Sequence, residues 1–349
     1  MTSTTNVVLC ALKRSSVKKV LVLASFLAVA LVSTAQADPQ PPGKLVGIGG
    51  YRLHIDVHGT GSPAVIFIAG SQAFSFDWSL VAPEIAKVTT AVTYDRPALA
   101  WSDPGPMPRS LQQDVYELHT LLEKSGVKPP YVLVGHSLGG FIARLFEKKY
   151  PDEIKGLVEV DGTSEDVLLF INNKITRLRS LSQNRELPPL KTSVDTFTKI
   201  PAQKDMDDFL KMIGQPTIDP PFNKLPKKYQ EARMWAQKQP KVLLADNGEY
   251  WAEEFETMYN DSTCSLGNKP LFVLTSLRND YPQSLGDSVR NELIQQKAMQ
   301  QDRIAALSSN SKHVVTTKSP HEIHLAEPEL VINAIMEVIN SVKTGQPLK

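Results

Sequence analysis

An apolar stretch, a Gly-His-Ser-Leu-Gly turn and a helical pattern follow one another without a break in this chain. Residues 131–134 are apolar and partly β-branched, as in a buried strand, and residues 140–150 have a helical pattern. A chain that passes so quickly from strand to helix turns sharply, which strains the backbone of Ser137 and exposes its hydroxyl at the strand end. Gly135 and Gly139 are needed because a Cβ at either position would collide with the neighbouring strand or helix. The pattern predicts a serine nucleophile on a tight elbow.

Residues 1–37 have the pattern of an export signal rather than of folded structure. Four basic residues precede an apolar run at 20–32, and residues 35–37 have the small-x-small form of a cleavage site. The apolar run is too short for a stable span of a bilayer. We therefore expect an exported protein, periplasmic or secreted, that is cleaved near Ala37. An uncleaved membrane anchor is the alternative.

The charge balance of the remaining chain excludes some classes of partner. Removal of residues 1–37 takes away four basic and no acidic residues, which leaves 34 basic against 37 acidic side chains. No basic stripe for nucleic acid or an anionic membrane is present, so we expect neither partner, and no stable membrane span after cleavage. Cys264 is then the single cysteine, so no internal disulfide can form, and we expect an incidental or buried thiol.

Strand-like and helical stretches alternate along most of the chain after a hairpin signal at 44–58. Further strands are predicted at 64–69, 90–95, 131–134, 154–161, 270–275 and 313–317, and helices at 78–87, from Ser110, at 140–150, 287–307 and 327–342. This alternation predicts an α/β fold with a mostly parallel central sheet and helices on both faces, entered through an antiparallel hairpin.

A long segment without strand alternation interrupts this pattern. Residues 163–268 have scattered amphipathic stretches and many prolines, and a segment of this length between two sheet strands cannot be a plain loop. We interpret it as a helical cap over the carboxyl edge of the sheet. The predicted organisation is a signal at 1–37, a core at 38–162, the cap at 163–268 and the rest of the core at 269–349.

Three groups of residues carry a family resemblance: residues 134–140 around Ser137, residues 94–96 with 101–106, and residues 321–324 with 327–329. In these groups the chain resembles the α/β-hydrolase family, in its branch of lid-bearing serine esterases and dehalogenase-like proteins. The resemblance covers about residues 44–162 and 270–342. It implies the α/β-hydrolase fold, with the helical cap inserted after the strand that follows the nucleophile helix.

The resemblance also implies a base in the loop after the last strand. A serine hydroxyl is a poor nucleophile without a base and an acid that orients it, and in this fold they follow the serine in the order acid, then histidine. That loop holds His321 and His324. The branch has its catalytic histidine seven residues before a proline that starts the final helix. His321 fits this spacing to Pro328, so we expect His321 to be the base and His324 a packed neighbour.

Two aspartates compete for the role of the acid. Asp161 ends the strand after the nucleophile helix, and Gly162 releases the turn behind it. Asp280 follows the next sheet strand but lacks the Gly-x-x-Asp turn usual at that site. We favour Asp161, whose competing role is to cap the first cap helix, and keep Asp280 as the alternative.

An oxyanion hole needs two backbone N–H groups. One comes from the residue after the nucleophile, Leu138. The other resembles the position after the family's usual His-Gly pair, which here is Ala69-Gly70, so the donor is expected to be Ser71. Replacing that histidine by alanine costs no donor, because the amide supplies the hydrogen bond.

These features predict an exported serine hydrolase, without cofactor or metal, that cleaves a carboxylic ester of a small or medium-sized apolar compound by a Ser-His-Asp acyl-enzyme mechanism. The histidines outside the predicted site lack metal-ligand spacing. One alternative is an exported proline-type aminopeptidase or amidase, whose cap would hold a free amine with acids such as Glu249, Glu253, Glu254 and Glu256. Another is a non-catalytic ligand-binding descendant. Cap aromatics such as Trp235, Tyr250, Trp251 and Phe255 are expected to pack in the core rather than to line an acyl pocket.

Overall fold

The sheet of the described residues contains eight strands, β1 (Lys44–Gly47), β2 (Arg52–His58), β3 (Ala64–Ile68), β4 (Ala91–Tyr94), β5 (Tyr131–His136), β6 (Ile154–Val160), β9 (Leu271–Ser276) and β10 (Ser311–Thr316), while β7 (Leu168–Ile171) and β8 (Lys174–Arg177) form a separate antiparallel hairpin. The sheet is mixed, with the strand order β1-β2-β4-β3-β5-β6-β9-β10. β1 and β2 pair antiparallel, β2 joins β4 antiparallel, and every other neighbour is parallel. The computed structural model describes residues 38–348 except 172–173, 195–197, 262 and 264, so the predicted signal at 1–37 and Cys264 lie outside the described residues.

Helices cover both faces of the sheet. They are α1 (Ala82–Ile85), α2 (Leu111–Ser125), α3 (Leu138–Lys149), α4 (Gln203–Ile213), α5 (Lys227–Ala236), α6 (Trp251–Asn260), α7 (Gly286–Ala305), α8 (Ile323–Ala326) and α9 (Pro328–Thr344), with 3₁₀ turns at Ser75–Trp78, Leu178–Leu181, Phe222–Lys224, Pro240–Leu244 and Gln283–Leu285. Successive β3 side chains point to opposite faces, so Ile66 and Ile68 pack against α2 and α3 while Val65 and Phe67 pack against α1 and α9. Burial on both faces explains the continuous apolar runs of these strands.

Two predicted elements differ from the structure. The helix predicted at 78–87 is a 3₁₀ turn that ends at Trp78, followed by the short helix α1 with Pro83 in its first turn. Proline has no N–H to give to the preceding turn, so it begins a helix and does not continue one. The segment 163–268 contains α4, α5 and α6 but also the hairpin β7–β8, which was not predicted because four-residue strands are too short to show a clear alternation.

The segment 163–268, here called the cap, packs firmly onto the rest of the chain. Phe255 of α6 stacks on Phe141 of α3 with the ring centroids 4.1 Å apart and the planes 4° apart. Arg233 of α5 donates to both carboxylate oxygens of Asp77, at 2.8 and 2.7 Å. Among the described residues, no helix is both long and apolar enough to span a bilayer.

Glu254 of α6 makes a further link between the cap and the sheet domain. Its Oε2 accepts from the N–H of Leu111 at 2.9 Å and its Oε1 from the N–H of Gln112 at 2.8 Å, which caps the N-terminus of α2 from another element. Burial raises the pKa of Glu254 to about 7, although these two N–H groups oppose the shift. The folded protein therefore binds a proton here more tightly than the unfolded chain does.

This shift predicts a pH-dependent stability that Glu254→Gln should remove. Because the pKa of Glu254 is raised on folding, its contribution is complete below the unfolded pKa of 4.5 and is lost as the pH rises towards 7. The free energy of unfolding should fall by roughly 3 kcal/mol more in the wild type than in the variant between these limits. Denaturant titrations at several pH values measure this difference.

Glu256→Gln is the control, because Glu256 lies on the same helix but is partly exposed beside Arg179. Its pH profile should run parallel to that of the wild type. A Glu254→Gln profile that is also parallel to the wild type would contradict the assigned pKa.

Candidate active site

Ser137 lies in the turn between β5 and α3 with φ 53° and ψ −124°. A non-glycine residue at positive φ is strained, and such strain is found at functional sites. The neighbouring glycines leave the space that the turn needs. A Cβ on Gly135 would meet the backbone of Gly139, and one on Gly139 would meet the carbonyl of Ile68. The strand, turn and helix therefore have the geometry expected of the elbow.

A buried ion pair behind the elbow supports this strained backbone. The N–H of Thr163 donates to the Ser137 carbonyl at 2.9 Å, and Arg144 of α3 donates to the Thr163 carbonyl at 2.6 Å. Arg144 also donates to Glu159 of β6 at 2.8 Å, and both side chains are almost completely buried. Burial raises the pKa of Glu159, against the opposing charge of Arg144. The backbone bond from Thr163 and the side-chain contacts of Arg144 thus hold the elbow in place.

His321 and Asp161 lie in direct contact. Nδ1 of His321 and Oδ2 of Asp161 are 2.6 Å apart, and Asp161 directly follows β6 with a φ of 49°. The imidazole is half-exposed while the carboxylate is fully buried. This is the geometry in which a carboxylate fixes the tautomer and orientation of a base.

Two further groups hold the Asp161 carboxylate. The N–H of Ser276, at the end of β9, donates to Oδ1 at 2.9 Å. Lys297 of α7 donates to Oδ2 at 2.6 Å, so this oxygen lies between a lysine and His321. Burial favours the neutral acid, but the hydrogen bond from His321 and the charge of Lys297 outweigh it and hold the pKa of Asp161 below its usual range. The carboxylate is therefore ionised at neutral pH.

The two competing residues have other partners. Asp280 is 43% exposed and accepts from its neighbour Arg278 at 2.7 Å. His324 is buried between Trp78 and His136, with ring centroids 4.6 and 4.5 Å away. Burial lowers the pKa of His324 to about 3, so it is a neutral packed ring.

His136, the residue before the serine, positions the loop that carries His321. Its Nε2 lies 3.1 Å from the His321 carbonyl oxygen, and because a carbonyl only accepts, this nitrogen carries the proton. Burial, followed by the neighbouring imidazoles of His324 and His321, lowers the pKa of His136 well below its usual value. The neutral ring therefore connects the end of β5, through one hydrogen bond, to the loop that contains His321.

The predicted oxyanion donors also lie at this edge of the sheet. Leu138 is the first residue of α3, so its N–H has no acceptor one turn earlier within the helix. The loop after β3 passes beside the nucleophile, since a Cβ built on Gly70 would lie 3.1 Å from the Ser137 Cβ. The next residue along this loop is Ser71.

A cavity of about 350 Å³ brings three of the predicted residues to a common surface. Ser137, Asp161 and His321 line it, whereas the predicted oxyanion donors Ser71 and Leu138 are not among its described lining residues. Its apolar lining comes from Val167, Leu168, Leu277, Tyr281, Leu293 and Ile294, and its polar lining includes Lys297, Gln300, Gln301, Arg278 and the competing aspartate, Asp280. Among the residues that the structure describes, no three His, Cys, Asp or Glu side chains are grouped to hold a metal ion.

Three contacts of this site were not predicted from the sequence. Lys297 and Asp161 lie far apart along the chain, and nothing in the Gln-rich stretch of α7 distinguishes this lysine. Asp246 in the cap resembles an ordinary turn residue, because Asn247-Gly248 follows it. His136 is the one for which a signal existed, because a histidine at the end of an otherwise apolar strand needs a partner.

The sheet order, the strained serine and the histidine–carboxylate contact define a hydrolase of the α/β class. The family model of the alpha/beta hydrolase fold matches residues 63–328, and the chain belongs to this family. The match confirms the predicted family and fold class and supports the predicted enzyme class, a hydrolase.

Two proteins of Bacillus subtilis are distantly related to this chain. The uncharacterized protein YqjL of Bacillus subtilis is 26% identical over 298 residues, which covers 84% of this chain and 91% of that protein. The uncharacterized protein YbdG of the same organism is 26% identical over 140 residues, and the match spans 39% of this chain and only 43% of YbdG. A thermophilic esterase from Thermogutta terrifontis has a similar structure, with a TM-score of 0.59 and 18% identity over 86% of this chain and 100% of that chain. At this identity the similarity shows the fold alone.

Proposed function

We propose that this protein is a serine hydrolase that cleaves carboxylic esters of small or medium-sized apolar compounds. The observation that carries the proposal is the 2.6 Å contact between His321 Nδ1 and Asp161 Oδ2, at a cavity that the strained Ser137 also lines. Because Nδ1 of His321 is bound to the carboxylate, Nε2 is the nitrogen that would accept the proton of the Ser137 hydroxyl. A serine at this position also argues against dehalogenation, which needs a carboxylate nucleophile.

In the proposed reaction the hydroxyl of Ser137 attacks the ester carbonyl while His321 takes its proton. Asp161 stabilises the imidazolium, and the N–H groups of Ser71 and Leu138 bind the oxyanion of the tetrahedral intermediate. His321 then protonates the leaving alcohol, which departs and leaves an acyl-enzyme on Ser137. A water molecule, deprotonated by His321, attacks the acyl-enzyme, and His321 then returns the proton to Ser137 Oγ as the bond to the acyl group breaks and the acid is released.

The preference for an apolar substrate rests on the cavity. Six apolar or aromatic side chains form much of its lining, and a volume of about 350 Å³ suits a small or medium-sized compound. Lys297, the lysine beside the catalytic centre, is already paired with Asp161, so its charge is largely compensated.

The aminopeptidase alternative has less support from the positions of the cap acids. None of Glu249, Glu253, Glu254 and Glu256 is among the described residues that line the cavity. Glu253 pairs with Arg185 at 2.8 Å, and Glu254 caps α2. A free amine in the cavity would therefore not meet these carboxylates.

Two measurements on the wild type test the proposal. A fluorophosphonate probe should label Ser137 covalently, because it reacts with activated serines; absence of labelling would favour a ligand-binding protein. A panel of nitrophenyl esters of increasing acyl length, run against aminoacyl anilides, should show turnover of the short and medium esters. Faster cleavage of the anilides would support the aminopeptidase instead.

Asp161→Asn should lower turnover of the preferred ester by up to about four orders of magnitude. The amide stabilises the wrong tautomer of His321 and cannot compensate the imidazolium. Steady-state kcat measures the effect, with thermal unfolding as a check that the variant folds, because Lys297 also loses its partner.

Asp280→Asn is the matched control. Asp280 lines the same cavity, but its half-exposed carboxylate pairs with Arg278 rather than with His321, so the same substitution there should change kcat by less than about threefold. If Asp280→Asn proves the more damaging of the two, the acid has been misassigned and the triad contains Asp280.

We further propose that the protein is exported and that residues 1–37 are removed. The support is the order of basic, apolar and small residues in this segment. Expression of the full chain in a bacterial host should give a product outside the cytoplasm whose first residue is Asp38. A product that keeps residues 1–37 and sediments with membranes would instead indicate an anchor.

A further inference from the structure

A buried carboxylate of the cap contacts the loop that carries the predicted oxyanion donor. Asp246 follows the 3₁₀ turn Pro240–Leu244, and its side chain is 4% exposed. Its Oδ2 accepts from the N–H of Gln72 at 2.8 Å and from the hydroxyl of Ser71 at 3.3 Å. The cap therefore touches this loop directly on both sides of the Ser71–Gln72 peptide.

Arg96, which follows β4, holds the same loop by its carbonyl groups. It donates from Nη1 to the Ala69 carbonyl at 2.5 Å and from Nη2 to the Gly70 carbonyl at 2.7 Å. The same guanidinium pairs with Asp246, with Nε 3.2 Å from Oδ1 and Nη2 2.9 Å from Oδ2. Residues 69–72 are thus fixed through their carbonyls by Arg96 and through an amide and a hydroxyl by Asp246.

The Asp246–Arg96 pair lies beside the proposed oxyanion site, so both its position and its charge affect that site. Gly70 lies against the Ser137 side chain, so the next residue, Ser71, belongs to the part of the loop that passes beside the proposed nucleophile. An oxyanion donor works only when it is held at hydrogen-bond distance from the place where the charge develops. A lone carboxylate in this buried position would repel the oxyanion, and Arg96 compensates that charge.

We propose that Asp246 and Arg96 position the N–H of Ser71 for the oxyanion, so that hydrolysis requires the cap to be docked on the sheet domain. This inference rests on the proposed esterase function. Asp246 and Arg96 are positioning residues, because they act through the loop at 69–72 and not on the substrate.

The test uses Asp246→Asn, Arg96→Met and the double variant in the full-length protein. Asp246→Asn keeps the side-chain volume and should lower kcat by about tenfold to a hundredfold, which is less than the loss of an oxyanion donor itself. Arg96→Met leaves the carboxylate of Asp246 uncompensated beside the oxyanion, so its kcat should fall further. The double variant should be at least several-fold faster than Arg96→Met, because it removes that charge.

Inhibition by a trifluoromethyl ketone distinguishes oxyanion positioning from general damage. This probe forms a tetrahedral oxyanion on Ser137, so its inhibition constant should rise in step with the loss in kcat/KM while KM stays within about threefold. Arg233→Met is the matched control, since it breaks another buried ion pair between the cap and the sheet domain, with Asp77. It should lower stability but leave kcat and the inhibition constant nearly unchanged.

The outcomes separate the two proposals. An active, fluorophosphonate-labelled wild type whose Asp246→Asn and Arg96→Met variants lose only stability, as Arg233→Met does, would overturn the positioning role alone. A rise in KM at constant kcat would also overturn it, because that pattern indicates substrate contact. A wild type that is neither labelled nor active on esters would overturn the proposed function and this inference with it.

Discussion

Ser137→Ala is expected to lower ester turnover by about 10⁴- to 10⁶-fold and to abolish fluorophosphonate labelling. The methyl group cannot attack a carbonyl, so the covalent route is lost, and only binding and the oxyanion donors remain. The hydroxyl contributes little to the fold, since the elbow is held by backbone contacts and by the Arg144–Glu159 pair. The variant should therefore unfold at nearly the wild-type temperature while being inactive.

Ser164→Ala is the matched control, because Ser164 lines the same cavity but lies after the elbow. Its kcat should stay within about tenfold of the wild type, with labelling intact. Comparable activity in Ser137→Ala and the wild type would disprove the serine mechanism altogether, whatever the acid proves to be.

His321→Ala should be as severe as Ser137→Ala, and the double variant should be no slower than either single one. Members of one catalytic unit are strongly non-additive, because removing any one of them ends the shared step. The His321 side chain is 44% exposed, so its removal creates no core cavity and should cost little stability. Steady-state kinetics and thermal unfolding of the three variants measure both effects.

His324→Ala should show the reverse pattern. Its ring is buried against Trp78 and His136, so truncation should cost about 2–4 kcal/mol of stability while kcat of the folded protein stays within about tenfold. If instead His324→Ala is the inactive, stable variant, the spacing to Pro328 has selected the wrong histidine.

The sheet was predictable because the amino-acid composition of its strands reflects how deeply they are buried. β3, β5 and β9 are covered on both faces, so each is a continuous apolar run that needs no knowledge of its neighbours. The elbow was predictable for a related reason, since its glycines, serine and flanking elements lie within one short stretch. The antiparallel hairpin at the start also follows from local signals, the pair Gly49-Gly50 between two strand-like pieces.

The remainder of the site depends on contacts between segments that are distant in the chain. Asp161 and His321 were named from strand ends and spacing, and they lie together in the structure, while their roles in turnover stay predictions. Lys297 and Asp246 could not be named, because a lysine on a helix and an aspartate in a turn have many uses. The packing of α7 against the sheet determines that Lys297 contacts Asp161, and the packing of the cap determines that Asp246 contacts the amide of Gln72.

Inserting the cap between β6 and β9 has a consequence for the biogenesis of this protein. Ser137 and Asp161 are translated before the cap. One edge of β6 stays unpaired until Leu271–Ser276 has been translated and forms β9. Such an open edge is a template for aggregation, so the nascent chain is exposed to aggregation at this stage. His321 is translated later still, after β10. A ribosome-bound or prematurely terminated chain would therefore carry the proposed nucleophile and acid without the proposed base, so on the proposed mechanism it would stay inactive until synthesis is almost complete.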